Sequence, residues 1–169
     1  MHKKKYLIFL LLLFITGLGG TSTAANNNAW EIPDFNLKGL DGKIHSLKEW
    51  KGNVILLNFW ASWCAPCQYE IKDLTRYQSK FSDKGFKIVS LGLDKERMLR
   101  NVHRSLGINY PVLILDPEES ETEIILDQWG NHERMVPYNV FIDRKGNIKY
   151  IHRGQLDKEI IQEYVLPLL

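Results

Sequence analysis

The chain has 169 residues, 44% of them hydrophobic and 25% charged, enough for one domain with a sizeable core. Its formal charge is +2, and Lys3, Lys4 and Lys5 supply three positive charges, so taking 3 from +2 leaves −1 for the remainder and no electrostatic case for a nucleic-acid partner. The chain holds 2 cysteines, which excludes a four-cysteine zinc or iron–sulfur site within one chain.

The N-terminus carries the pattern of an export signal. Met1 to Lys5 form a basic stretch, Tyr6 to Leu18 is nearly continuous apolar sequence, and Thr21-Ser22-Thr23-Ala24-Ala25 is small and polar. Cleavage after Ala24 or Ala25 fits the small-residue rule. The apolar run is shorter than the roughly 20 residues of a spanning helix. Residues 1–25 are therefore expected to be a signal peptide, or an uncleaved N-terminal anchor. No cysteine follows the run to carry a lipid. A linker is expected over 26–31 and one folded domain over 32–169.

Within that domain Pro33 to Leu37 alternates in polarity, and Leu40-Asp41-Gly42-Lys43 precedes Ile44 to Leu47, a hairpin signal. Val54 to Trp60 is apolar apart from Asn58 and suits a strand buried on both faces. After Cys64-Ala65-Pro66-Cys67, the spacing of Ile71, Leu74, Tyr77, Gln78 and Phe81 predicts a helix that ends near Gly85. Phe86 to Leu93 reads as a second buried strand. Met98, Leu99, Val102 and Leu106 predict an amphipathic helix stopped by Gly107, and Val112 to Leu115 a short strand. Glu118, Glu119, Glu121 and Glu123 form an acidic cluster, expected to be a solvated face, with a short helix at Ile124, Ile125, Leu126 and Trp129 behind it. Val140 to Ile142 and Ile148 to Ile151 flank the turn Asp143 to Asn147. Leu156, Ile160, Ile161, Tyr164 and Val165 mark a final helix. Strand–helix alternation predicts an α/β fold with a parallel sheet to which the last hairpin adds an antiparallel part.

Two bland readings compete for the cysteine pair. As a structural disulfide it closes so short a loop that chain entropy supplies only about 2 kcal/mol. As half of a zinc site it lacks partners at metal-ligand spacing, since His45, His103, His132 and His152 are scattered singly. Redox catalysis accounts better for the placement. Cys64 falls at or just before a first helical turn, where free N–H groups and the helix dipole stabilise a thiolate, the reactive form. Cys64 is the expected nucleophile. Cys67, one turn deeper, is expected to be shielded and to resolve the mixed disulfide. Pro66 is tolerated because a first-turn residue has no N–H bond to lose.

Asn58-Phe59-Trp60-Ala61-Ser62-Trp63-Cys64-Ala65-Pro66-Cys67 resembles the active-site stretch of the thioredoxin superfamily. More narrowly, the chain resembles the TlpA/ResA-like extracytoplasmic group. Pro33-Asp34-Phe35 and Leu40-Asp41-Gly42-Lys43 match its N-terminal hairpin, Val136-Pro137 its cis-proline segment, and Asp143-Arg144-Lys145-Gly146 the turn that follows. The resemblance implies a thioredoxin-like fold with an added N-terminal hairpin. It also implies a cis Val136–Pro137 bond facing the cysteines, with a backbone free for strand-like pairing to a client. Asn58 stands where cytoplasmic thioredoxins carry an aspartate, and it cannot shuttle a proton. Glu70 matches a glutamate of the group and is expected to raise or relay the proton of the buried thiol. Trp63, Ala65 and Pro66 are expected to touch the client, and Trp60 to pack in the core or the groove. Tyr138, in place of a small hydroxyl residue, is expected to narrow the groove. The implied activity is reduction of protein disulfides, apocytochrome c among them, with electrons from a membrane carrier, no metal, and no cofactor beyond the Cys64–Cys67 disulfide. A monomer is expected. A disulfide-donating oxidase and a non-enzymatic peptide-binding module are the alternatives.

Overall fold

The computed structural model describes residues 32–169, so the signal peptide or anchor expected over 1–25 and the linker expected over 26–31 lie outside the described residues. The described residues open with two short strands, β1 (Asn36–Lys38) and β2 (Ile44–Ser46), paired antiparallel as a separate two-stranded sheet. Gly42 takes a positive φ of 85° at the Asp-Gly turn, a conformation that suits a residue without Cβ. Asp34 pins the hairpin from below: its carboxylate accepts from the Ser46 hydroxyl and the Leu47 amide and pairs with Lys48. The hairpin reaches the main sheet through the Leu40 amide, which donates to the Val112 carbonyl at 2.9 Å.

The main sheet contains β3 (Val54–Trp60), β4 (Phe86–Leu93), β5 (Val112–Leu115), β6 (Tyr138–Ile142) and β7 (Ile148–Arg153), in the order β5-β4-β3-β6-β7. β3, β4 and β5 run parallel; β6 is antiparallel to β3, and β7 to β6. β3 is central, and all seven of its residues are buried, as its unbroken apolar run requires. Among the described residues, four α-helices flank the sheet: α1 (Ala65–Phe81), α2 (Glu96–Leu106), α3 (Ser120–Gln128) and α4 (Lys158–Tyr164). Gly85 and Gly107 end the runs after α1 and α2 in left-handed conformations, φ 73° and 62°. Among the described residues, no helix is long and apolar enough to cross a membrane.

Parallel strands share one polarity, so the residues before β3 and β4 gather at one end of the sheet and the cysteines at the other. At the end remote from the cysteines, the Arg144 guanidinium donates to the carbonyls of Gly52, Lys84 and Leu169 at 3.2, 2.7 and 3.2 Å.

Three local expectations are corrected. Met98 is exposed, and α2 packs chiefly through Leu99, because the helical phase places Met98 on the solvent side. The acidic cluster is partly helical: Glu121 and Glu123 lie within α3, and Trp129 follows it. Leu156 precedes α4 rather than belonging to it.

Candidate active site

β3 delivers the chain to the site. Its last residue, Trp60, is fully buried, and Ala61 to Trp63 form the turn into α1. That turn is tied at two points. The Ser62 hydroxyl donates to Asp94 at the end of β4, and the Gln68 side-chain amide donates to the Ser62 carbonyl at 2.6 Å.

Cys64 is the N-cap of α1, with φ −84° and ψ 102°. The first amides of a helix have no partner within it, and a cap supplies one. Here the cap atom is sulfur: the Cys67 amide donates to Cys64 Sγ at 3.3 Å. No acidic residue occupies the first turn of α1 to oppose a negative sulfur. Cys64 and Cys67 are joined as a disulfide. Cys64 keeps 4% of its surface exposed and Cys67 none, so the expected asymmetry between the sulfurs is present but small. Ala65 and Pro66 are exposed on the rim, and Trp63 stands out with 69% of its surface in solvent.

The Val136–Pro137 bond is cis. Tyr138 pairs with Phe59 in the antiparallel register of β6 on β3, so Pro137 comes level with Trp60 at the cysteine end of the sheet. Val136 is half-buried and Pro137 buried. The loop ahead of them is braced by buried Asn131, whose side chain donates to the Met135 carbonyl at 2.9 Å and accepts the Met135 amide at 2.8 Å. Tyr138 does not line the groove. It is fully buried, its ring meets Phe59 edge-on, and its hydroxyl donates to the Trp129 carbonyl at 2.8 Å. It therefore ties β6 to the end of α3.

Glu70, one turn after Cys67, is buried. Burial pushes its carboxyl up to about 7, against the pull of the Leu156 amide and the Asn58 and Asn139 side chains. Asn58 Nδ2 donates to Glu70 Oε1 and the Leu156 amide to Oε2, each at 2.8 Å. Burial raises the phenol of Tyr110, and the Glu70 charge adds to the effect. Asn58 left a visible mark in the sequence as the single break in the β3 run. The contributions of Asn139, Ser90 and the Leu156 amide left none. Among the described residues, no group of three or more His, Cys, Asp or Glu side chains is placed to hold a metal.

A disulfide-forming cysteine pair at a helix cap, with a buried carboxyl one turn on, suits thiol–disulfide exchange. Comparison with known proteins agrees. The family model Redoxin matches residues 26–165. The thiol-disulfide oxidoreductase ResA of Bacillus cereus is 30% identical over 136 residues, covering 80% of this chain and 75% of that one. A thiol:disulfide interchange protein of the thioredoxin family from Chlorobium tepidum superposes with TM-score 0.71 at 28% identity, over 81% of this chain and 94% of that one. The exposed lipoprotein thioredoxin of Streptococcus pneumoniae does so with TM-score 0.64 at 30% identity, over 78% and 96%. The chain belongs to the Redoxin family and is a ResA-like thiol–disulfide oxidoreductase of the thioredoxin superfamily.

Proposed function

We propose that this protein is exported and reduces disulfides of client proteins outside the cytoplasm. The observation that carries the mechanism is the cap: the sulfur of Cys64, not an oxygen, accepts the Cys67 amide at the mouth of α1. In the reduced protein that amide and its neighbours hold Cys64 as a thiolate. The thiolate attacks one sulfur of the client disulfide; a Cys64–client bond forms and one client thiolate leaves. The Cys67 thiol gives its proton to the Glu70 carboxylate, and Cys67 Sγ attacks Cys64 Sγ. The second client thiolate departs, the Cys64–Cys67 disulfide closes, and two electrons have passed to the client. Trp63, Ala65 and Pro66 form the contact rim, and the Val136 backbone pairs with the client strand.

The basic and apolar N-terminal pattern supports export. The exposed lipoprotein among the structural relatives is consistent with it. The haem motif Cys-x-x-Cys-His of apocytochrome c is the proposed client. It is a thiol pair that must be reduced to bind haem, and this chain lacks the motif itself, Gln68 following Cys67. A membrane thiol carrier returns the electrons. The test is equilibration with glutathione buffers: a potential well below about −200 mV is expected, and one near about −120 mV would instead make the protein an oxidase. Replacing Cys67 with alanine is expected to leave clients joined to Cys64. Capture by a Cys64→Ala variant instead would overturn the assignment of the nucleophile.

A further inference from the structure

Three buried polar side chains cross the middle of the sheet in one row. The register sets Ser90 of β4 and Asn139 of β6 directly beside Asn58 of β3, and all three are fully buried. Side chains level with one another on neighbouring strands share a face. Polar groups in such a place are retained at a cost unless each finds a partner. Here each does. The Ser90 hydroxyl donates to Asn58 Oδ1 at 3.2 Å. Asn58 Nδ2 spends its two protons on Asn139 Oδ1 and Glu70 Oε1, both at 2.8 Å. Asn139 Nδ2 donates to the Gly154 carbonyl at 3.5 Å.

The row has a direction, and a backbone group sets it. A carbonyl can only accept, so Gly154 draws the NH2 end of Asn139. Asn139 then turns its oxygen to Asn58, which must answer with its own NH2 end. That leaves Asn58 Oδ1 facing Ser90, whose hydroxyl must donate. An amide is nearly symmetric in shape, yet this chain of constraints presents a proton donor, never an oxygen, to Glu70.

We infer that the row Ser90–Asn58–Asn139 is a positioning device for Glu70, holding its carboxyl in place and governing how firmly it keeps a proton. Besides the amides and the hydroxyl, buried Tyr110, ahead of β5, interacts electrostatically with Glu70, while Cys67, one helical turn earlier on the same face of α1, is held in the disulfide and does not titrate. The inference concerns the carboxyl itself; its link to catalysis rests on the relay proposed above.

The test reads Glu70 directly. In the intact, oxidised protein carrying 13C-labelled glutamate, the Glu70 carboxyl signal is identified by its loss in Glu70→Gln and followed through pH. Asn58→Leu keeps the branching and removes the donor. It is expected to raise the midpoint by about one to two pH units, the worth of one hydrogen bond to a charged group. Ser90→Ala leaves Asn58 Oδ1 without its donor and loosens the amide that Asn139 still orients, and is expected to give a smaller shift in the same direction. Ser90→Thr keeps the donor and is expected to restore the wild-type curve, an outcome that mere packing would not produce. An unchanged midpoint in both Asn58→Leu and Ser90→Ala would overturn the inference. If Asn58→Leu fails to fold, the Ser90→Ala and Ser90→Thr pair decides. The acid limb of kcat/KM is measured alongside. A carboxyl midpoint that moves while the limb stays put upholds the positioning role, and it is the relay that then falls.

Discussion

The buried Glu70 makes stability depend on pH in a direction opposite to that of most carboxylates. In the folded protein its pKa is pushed up to about 7, against 4.5 for the free side chain. Between those values the unfolded chain has lost the proton and the native state still holds it. The native state therefore binds more protons in that window, and stability falls as pH rises through it. Below 4.5 the penalty is absent; above about 7 it is complete and constant. The gap corresponds to about 3 kcal/mol. Glu70→Gln removes the titration. It also leaves one of the two donors, the Asn58 side chain or the Leu156 amide, facing an NH2 group, an offset that does not vary with pH. The assay is urea unfolding of the oxidised wild type and variant at pH 4.5 to 8. Taking the difference cancels His45, Asp34 and every other titrating group common to both. The wild-type midpoint is expected to fall relative to the variant by about 1.5 M between the ends of the range, for an m-value near 2 kcal/mol/M. Parallel profiles would refute the reasoning.

Three further outcomes are expected. Trp63→Ala changes stability by less than about 0.5 kcal/mol, because the ring is already in solvent, but raises KM for protein substrates about tenfold; equilibrium unfolding and steady-state kinetics separate the two. Tyr138→Phe strands the buried Trp129 carbonyl and costs about 1–3 kcal/mol with client KM unchanged, which tests its placement outside the groove. Gly92→Ala puts a Cβ 2.5 Å from Leu99 Cδ2, and the overpacking is expected to cost about 1–3 kcal/mol by thermal or urea unfolding.

The parts of this molecule legible in the sequence are those written locally. The apolar run of β3, the glycines at 85 and 107, and the cysteine pair ahead of an amphipathic stripe each carry their meaning within a few residues. The cis bond at Pro137 came from resemblance, since nothing in the dipeptide itself selects it. What escaped was decided by register and phase. Tyr138 follows a proline thought to line the groove, but β6 is buried on both faces, so no alternation in polarity shows which way the ring turns. Ser90 and Asn139 are short polar residues in apolar strands, 32 and 81 positions from Asn58. Only the pairing of three strands brings them into line. Asn58 itself was visible, but as the loss of a proton-carrying aspartate rather than as a donor to Glu70.

Arg144 braces the fold at a distance from the chemistry. One guanidinium gathers three backbone oxygens from segments 52, 84 and 169 at the pole of the sheet farthest from the sulfurs. Mutational robustness can therefore be raised or lowered at that pole while the electron-transfer chemistry goes untouched.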